Sequence, residues 1–592
     1  MKPNKTQRTK ALLGLGYFPK ELPPPFKTKG IATKSAKIEA KFTVMDALLT
    51  NRERDRHPPS SHASKFNMAR RGHSRRMLQI VNPINQYYLC RFISVHWNKI
   101  FEAINESDYS ITKAEIDVHG YRAVPLPPIS SLAETRIKAY APYSHILETD
   151  VSSFYHNIYT HSIPWALHGK AVAKIRRKRD DAICFGNEID YLVRQCQDGQ
   201  TIGLPVGPDT SRIISEVILA SVDKEIRQNT AEKIKSGYRY IDDMFYCFEA
   251  RSDAESALSI IRAGLRSYEL GINPQKTAIK SASEYNEETW PHKVRQYRIS
   301  GNSKRQTSDV ISFFSSVLDI AISNPEESIV IYALKLTTRI LIKEEAWPTY
   351  EAYLIRIARD YPNSYDLVSK LICTYAAIGY PISESVRIFI ENTIKNGFEH
   401  EYHYEISWAL WLAISLKLKL SNSTSEKLSL IENSVCNVLT LYAHQINLIE
   451  SDFSTSLWAQ EMSTGNMFEE NWLLRFECAA AGWLQGNAEV ILNNSPYFLV
   501  LKDLGIRFFD ENETNRPINL PGITWRLLAR AKKEGLKILP GRIKPPSTDD
   551  MRSKDYAEEV GGDYGDVEIG DLNDEWAEND DDFPDIFHDP ED

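Results

Sequence analysis

The sequence predicts an α+β body over residues 65–306, an all-α region of HEAT-like helical repeats over 307–485, and an acidic disordered tail over 549–592. Three observations predict it. A strand–turn–strand pattern closes on two adjacent carboxylates at Tyr240-Ile241-Asp242-Asp243. From about Ser308 to Gln485, amphipathic helical patterns follow one another every twenty residues or so. From Asp549 to the end, 19 Asp and Glu stand against 2 Lys and Arg, with too little apolar content to fold. A basic, Pro-rich arm (1–64) precedes the body, and a mixed segment (486–548) joins the helices to the tail.

At 592 residues the chain exceeds one ordinary domain, and its 42% hydrophobic and 25% charged content suit a water-soluble globular protein. No apolar run approaches a membrane span, and the first residues lack the apolar core of a secretory leader, so no membrane is expected. Seven scattered Cys show no metal-ligand spacing and fit reduced thiols in a cytoplasm. The net charge of −8 conceals a polarity: residues 1–548 carry 69 basic and 60 acidic side chains, and residues 1–76 alone hold 18 and 5. A basic front with an acidic appendage points to a body that handles nucleic acid.

Pro19 and Pro23–Pro25 exclude a regular helix there, so the segment from Leu15 to Phe26 reads as an extended strap. Met68–Pro83 holds four Arg within seven residues, split by Gly72 and running into an apolar strand. Such a basic hairpin suits a triphosphate, because guanidinium forks match phosphate oxygens; a solvated basic loop is the plainer alternative. A helix is expected over 86–105, then a Pro-rich turn at 125–128. Ile146–Asp150 reads as a strand ending in a carboxylate, followed by small residues and the aromatic pair Phe154-Tyr155. Gly199–Pro208 is a Gly/Pro loop opening an amphipathic helix, with Asp209, Thr210 or Ser211 as its cap. It is no Walker loop, since no Gly-Lys-Ser/Thr follows. A helix over 253–270 leads to the turn Gly271–Lys276. Helices are then expected over 309–323, 328–343, 350–361, 365–379, 383–395 and 404–421.

Two adjacent carboxylates at a hairpin tip repel each other unless a cation neutralises them, and Mg²⁺ prefers such hard oxygen ligands. Asp150 lies 92 residues before Asp242, far enough for two strands of one sheet to bring three carboxylates together.

Four stretches belong together. Asp150-Val-Ser-Ser-Phe-Tyr, Gly203-Leu-Pro-Val-Gly-Pro, Tyr240-Ile-Asp-Asp and Leu270-Gly-Ile-Asn-Pro-Gln-Lys resemble reverse-transcriptase motifs A, B, C and D, in order and at normal spacing. The Arg-rich hairpin at 70–76 resembles the fingers segment of that family. The α+β body is thereby expected to be a reverse-transcriptase right hand of fingers and palm. Within the superfamily, Gly-Tyr-Phe-Pro near the N-terminus and Arg-Arg-Met-Leu-Gln-Ile-Val-Asn-Pro83 are similar to the bacterial abortive-infection (Abi) and related antiphage reverse transcriptases.

The resemblance implies a nucleotidyltransferase adding dNTPs, with Asp150, Asp242 and Asp243, beside Val151, holding two Mg²⁺ (or Mn²⁺) about 4 Å apart. Lys276 would assist departure of pyrophosphate, and Arg71 and Arg76 would grip the β- and γ-phosphates. Tyr155 would lie under the sugar and exclude a 2′-OH. Gly203, Pro205, Val206 and Gly207 would line the incoming nucleotide. Val206 departs from the family, which places Gln there; Val cannot hydrogen-bond, which suits untemplated synthesis begun from a protein hydroxyl. The product would be single-stranded DNA, covalently attached to protein. Two other readings compete: a templated reverse transcriptase using a noncoding RNA, and a vestigial nucleic-acid-binding scaffold. The helical region offers a surface for RNA, a phage protein or a second copy of the chain.

Overall fold

The computed structural model describes residues 3–513 apart from 71–73, 128–129, 231–232, 286–288, 326, 450–452 and 485–486, and beyond them Gly535. The basic stretch Arg526–Lys544, the acidic tail and Arg71 lie outside the described residues.

Among the described residues, six strands form two sheets. Strands β1 (Ser64–Ala69) and β2 (Arg75–Ile80) make an antiparallel hairpin. Strands β3 (His145–Asp150), β4 (Ser236–Tyr240), β5 (Asp243–Phe248) and β6 (Ala278–Ser281) make a four-stranded sheet in the order β4-β5-β3-β6, every pairing antiparallel. Alternation sorts its side chains onto two faces. Leu147, Met244, Tyr246 and Phe248 face the main core, where the helix Arg251–Ser267 packs on β3 and β5. Ile146, Tyr238, Tyr240, Phe245 and Cys247 lie on the opposite face, in a smaller cluster with Leu132. The helix Ser130–Tyr140 covers that cluster, and Arg136 Nε donates to the Tyr238 hydroxyl at 2.9 Å.

The long helix expected after Pro83 spans Pro83–Asn105, capped by the Asn82 side chain, which accepts from Ile84 N. The N-terminal arm is more helical than its prolines suggest: Lys5–Gly14 is a helix capped reciprocally by Asn4 and Gln7. The strap after it is irregular, as Pro requires, and buries Tyr17, Phe18, Leu22 and Phe26.

Helices dominate from Ser303 onward, each packing on a near neighbour in sequence; Ser303–Ser323, for instance, lies against Trp347–Asp360. The helix expected over 404–421 ends at Leu416, and the one expected over 328–343 is also cut short. Ile329–Thr337 ends early because buried Gln306 captures the next segment: its Oε1 accepts from Lys343 N at 2.6 Å and its Nε2 donates to Leu341 O at 3.2 Å. The Tyr375 hydroxyl accepts from Ile342 N at 3.0 Å, completing the diversion.

This helical region is bound to the rest through one continuous hydrophobic core running from Ala11 to Phe509. Trp472 Nε1 donates to Ile80 O at 3.2 Å, Asn433 Nδ2 to Lys65 O at 2.8 Å and Trp408 Nε1 to Glu21 O at 3.0 Å. All seven cysteines are buried, and none forms a disulfide. Among the described residues no helix is long and apolar enough to cross a membrane.

Candidate active site

Three carboxylates meet at one end of the four-stranded sheet. Asp150, the last residue of β3, is the register partner of Asp243, the first of β5. Tyr240 pairs with Asp243 across the β4–β5 hairpin, which leaves Ile241 and Asp242 as its two-residue turn. Such a turn needs a positive φ, and Ile241 supplies it at +55°. For an L-residue the left-handed region costs about 1–2 kcal/mol, and a β-branched side chain is poorly suited to it. The turn is held from both sides: Ile241 N donates to Thr112 Oγ1 at 3.0 Å, and Ile241 O accepts from Arg239 Nη1 at 2.6 Å.

The electrostatics are those of crowded anions. Burial, followed by repulsion from Asp243 and Asp150, pushes Asp242 up to about 8. Asp243 reaches solvent but is also raised, by the protein around it and then by Asp150, with Lys276 and Arg136 opposing. Lys276, on a short 3₁₀ turn (Pro274–Lys276), brings Nζ to 2.5 Å from Asp150 Oδ2. Desolvation lowers that ammonium, but the bond to Asp150 and the charges of all three carboxylates outweigh it and raise it overall.

Asp150 is buried, and its Oδ1 has no hydrogen-bond partner among the described residues. A buried carboxylate oxygen left unpartnered, in an all-oxygen anionic donor set, fits a hard divalent cation such as Mg²⁺. Among the described residues no three His, Cys, Asp or Glu side chains are arranged as a ready-made metal cage. The Lys276 ammonium lies beside Asp150. Val151 is buried next to Asp150; Ser152 N donates to Gly271 O at 2.8 Å and Asn273 N to Asp150 O at 2.7 Å, bonds that flank Val151 without using its carbonyl.

The other sequence-derived candidates lie as follows. Tyr155 is in a one-turn helix (Phe154–Asn157) entered through Ser153 at φ +43°. Its carbonyl accepts from Leu204 N and the Ile158 carbonyl from Gly203 N, both at 2.8 Å, so the segment after Asp150 is joined to the Gly/Pro loop. Gly203 sits at φ +90°, and Pro205 beside it is buried. Val206 is half-buried against the core, and its carbonyl accepts from Gln79 N at 2.8 Å, linking the loop to β2. A Cβ at Gly207 would come within 2.7 Å of Pro19 Cγ, so the N-terminal strap closes behind this loop.

In β2, Arg75 and Arg76 point to opposite faces. Arg75 forks onto Glu405 at 2.6 and 2.8 Å and lies 4.1 Å from the Tyr402 ring centroid, so it ties the hairpin to the helical region. Asp209 also differs from expectation. Its carboxylate accepts from Arg122 Nε and Val124 N, both at 2.9 Å, so it is taken by the 122–124 segment.

Sequence reasoning passed over Arg239, Glu216, Asp223, Ser107 and Thr112, which lie directly behind the hairpin. Two signals were present: a charged residue inside an otherwise apolar strand, and two acids seven apart, hence on one helical face.

Residues 97–304 match the family model described as Reverse transcriptase (RNA-dependent DNA polymerase). This part of the chain is an RNA-directed DNA polymerase-like nucleotidyltransferase. No curated protein matches the chain. The solved structures weakly similar to it include two telomerases. One is apo telomerase from Candida tropicalis, 11% identical, covering 69% of this chain and 74% of that one with a TM-score of 0.29. The other is telomerase from Candida albicans with the TWJ fragment of telomeric RNA, 10% identical, covering 70% and 68%, with a TM-score of 0.27.

Proposed function

We propose that this chain is a DNA polymerase of the Abi-type, antiphage kind, adding dNTPs without a template to a hydroxyl of its own. The convergence of Asp150, Asp242 and Asp243 at one sheet end carries the polymerase part of this reading. Those three carboxylates would hold divalent metal, with the Val151 carbonyl as an additional ligand. Bound Mg²⁺ or Mn²⁺ supplies Lewis acidity for nucleotidyl transfer. Lys276, which pairs with Asp150, would give a proton or charge neutralisation to the departing pyrophosphate. Tyr155 would exclude a 2′-OH, and Arg71 and Arg76 would hold the triphosphate.

Two observations support the untemplated part. Val206 offers a nucleotide no hydrogen bond where the family has Gln. The helix Ser130–Tyr140 lies over the sheet face that also carries Asp150 and Asp243. A helix about 10 Å across leaves less room there for a base-paired product than for a single strand. The helical region would act as a HEAT-like scaffold for RNA, a phage protein or a second copy.

The matched family's description, RNA-dependent, favours a second reading in which a noncoding RNA templates synthesis. Incubating purified protein with labelled dNTPs, with and without added RNA and after nuclease treatment, separates the two. The expected product is DNA of RNA-independent sequence that stays on one peptide after denaturation and protease trimming. DNA that copies an added RNA and leaves the denatured protein cleanly would assign the chain to the templated class. No incorporation at all would leave the scaffold reading.

A further inference from the structure

Behind the carboxylate hairpin sits a fully buried guanidinium. Arg239 is 0% exposed and belongs to β4, two residues before the turn. Its Nε donates to Asp223 Oδ2 at 2.9 Å, its Nη2 to Glu216 Oε1 at 2.9 Å and its Nη1 to Glu216 Oε2 at 3.2 Å. Both acids project from one helix, Asp209–Thr230, and both are buried. The same Nη1 donates to the Ile241 carbonyl at 2.6 Å. Asp223 accepts a further bond from the Ser107 hydroxyl at 2.5 Å.

Ser107 opens a segment that runs beside β4. Arg239 N donates to Tyr109 O at 2.7 Å, and Ile111 N to Arg239 O at 3.0 Å. That brings Thr112 to the turn, where its hydroxyl accepts from Ile241 N at 3.0 Å. The peptide groups on both sides of Ile241 are therefore fixed, one to Thr112 from outside the hairpin and the other to the Arg239 side chain of β4. Ile241 is held at a φ of +55° that its side chain disfavours.

A fold has simpler ways to make this turn. Gly or Asn at position 241 would adopt the same φ with little strain, and an apolar residue at 239 would avoid burying three charges. We infer that Arg239, locked by Glu216 and Asp223, is a positioning residue that, together with Thr112, holds the Ile241 peptide and so aims Asp242 and Asp243. Arg suits the role because its planar fork reaches several acceptors at once, whereas a lysine ammonium is a single point charge. The inference rests on the reading of Asp150, Asp242 and Asp243 as a divalent-metal site for nucleotidyl transfer.

The test uses the full-length protein and three variants: Arg239→Lys, Thr112→Val and Ile241→Gly. Each is measured for dNTP incorporation, for thermal melting, and for Mn²⁺ binding by electron paramagnetic resonance, which needs no turnover. Thr112→Val and Arg239→Lys are expected to lower kcat about tenfold and weaken Mn²⁺ binding about tenfold, with KM for dNTP changed less than about twofold. Ile241→Gly is the discriminating variant. It relieves the left-handed strain, so its melting temperature should equal or exceed wild type while kcat and Mn²⁺ affinity still fall. A merely structural role would move stability and activity together. Folded Thr112→Val and Ile241→Gly proteins with wild-type kcat and Mn²⁺ affinity would overturn the inference, whether or not Arg239→Lys folds. A wild-type protein that binds Mn²⁺ but incorporates nothing would instead fail the polymerase reading, and the Mn²⁺ comparison would still decide the role of Arg239.

Discussion

Lys276 places its ammonium 2.5 Å from Oδ2 of Asp150, so a side chain cation already stands where the sheet end gathers its negative charge. Lys276, with Arg136, also acts against the crowding at Asp243. Asp242 remains crowded by burial and by its two neighbours.

A pH dependence follows for metal-free protein. The folded state holds the Asp242 proton up to about 8, whereas an unfolded chain releases it near the ordinary aspartate value of 3.8. Between those values the folded state binds more protons, so this group's contribution to stability falls as pH rises, by about 1 kcal/mol per unit. The difference in melting temperature between wild type and Asp242→Asn isolates it from other titrating groups. In EDTA, Asp242→Asn should gain on wild type from pH 5 to 8, and Mg²⁺ should reverse the ranking. A difference that stays flat across this range would remove the repulsion argument.

The same Asp242→Asn protein should lose incorporation by about a thousandfold or more while keeping its circular dichroism spectrum. Wild-type turnover in this variant would sink the assignment of the metal site.

Tyr155→Ala should admit ribonucleotides, raising the ratio of rNTP to dNTP use by about tenfold or more through loss of a steric wall. The measurement is kcat/KM for each nucleotide class. An unchanged ratio would make Tyr155, whose carbonyl already serves Leu204, a packing residue alone.

Arg75 and Arg76 should behave oppositely although adjacent. Arg75→Met leaves buried Glu405 without its guanidinium and should cost about 3 kcal/mol of stability, partly recovered by also changing Glu405→Gln. Arg76→Ala should instead raise KM for dNTP several-fold with little change in melting. Denaturant unfolding and steady-state kinetics on both variants check this, and a shared phenotype would refute it.

Truncation after Lys544 removes the acidic segment and should raise affinity for single-stranded DNA at low salt, with the effect fading as screening shortens to about 10 Å near 0.1 M. Equal binding curves for both forms at every salt concentration would leave the tail a solubility element.

The order of motifs was legible because each is local. Alternating strand residues around Tyr240–Asp243 determine a hairpin with Ile241 and Asp242 as its turn. The strand before Asp150 and the loop before Asp209 carry equally local marks. Side-chain partners across long separations left no such mark. Nothing near Arg75 foretells that it meets Glu405, 330 residues on, because that pairing depends on where the helical region docks. Asp209 reads as a helix cap until Arg122 and Val124 arrive to claim it. Gln306 ends a helix that periodicity alone would continue, because its amide offers the backbone equivalent bonds from another element. The sequence by itself determined that Asp150 ends a strand and that Asp242 and Asp243 stand at a turn, since β alternation and turn chemistry act between neighbours. Only the tertiary structure decided what holds them: a buried guanidinium between two acids, and a hydroxyl from a segment about 130 residues upstream of the turn. Burial makes each of those groups depend on partners that packing alone brings within reach.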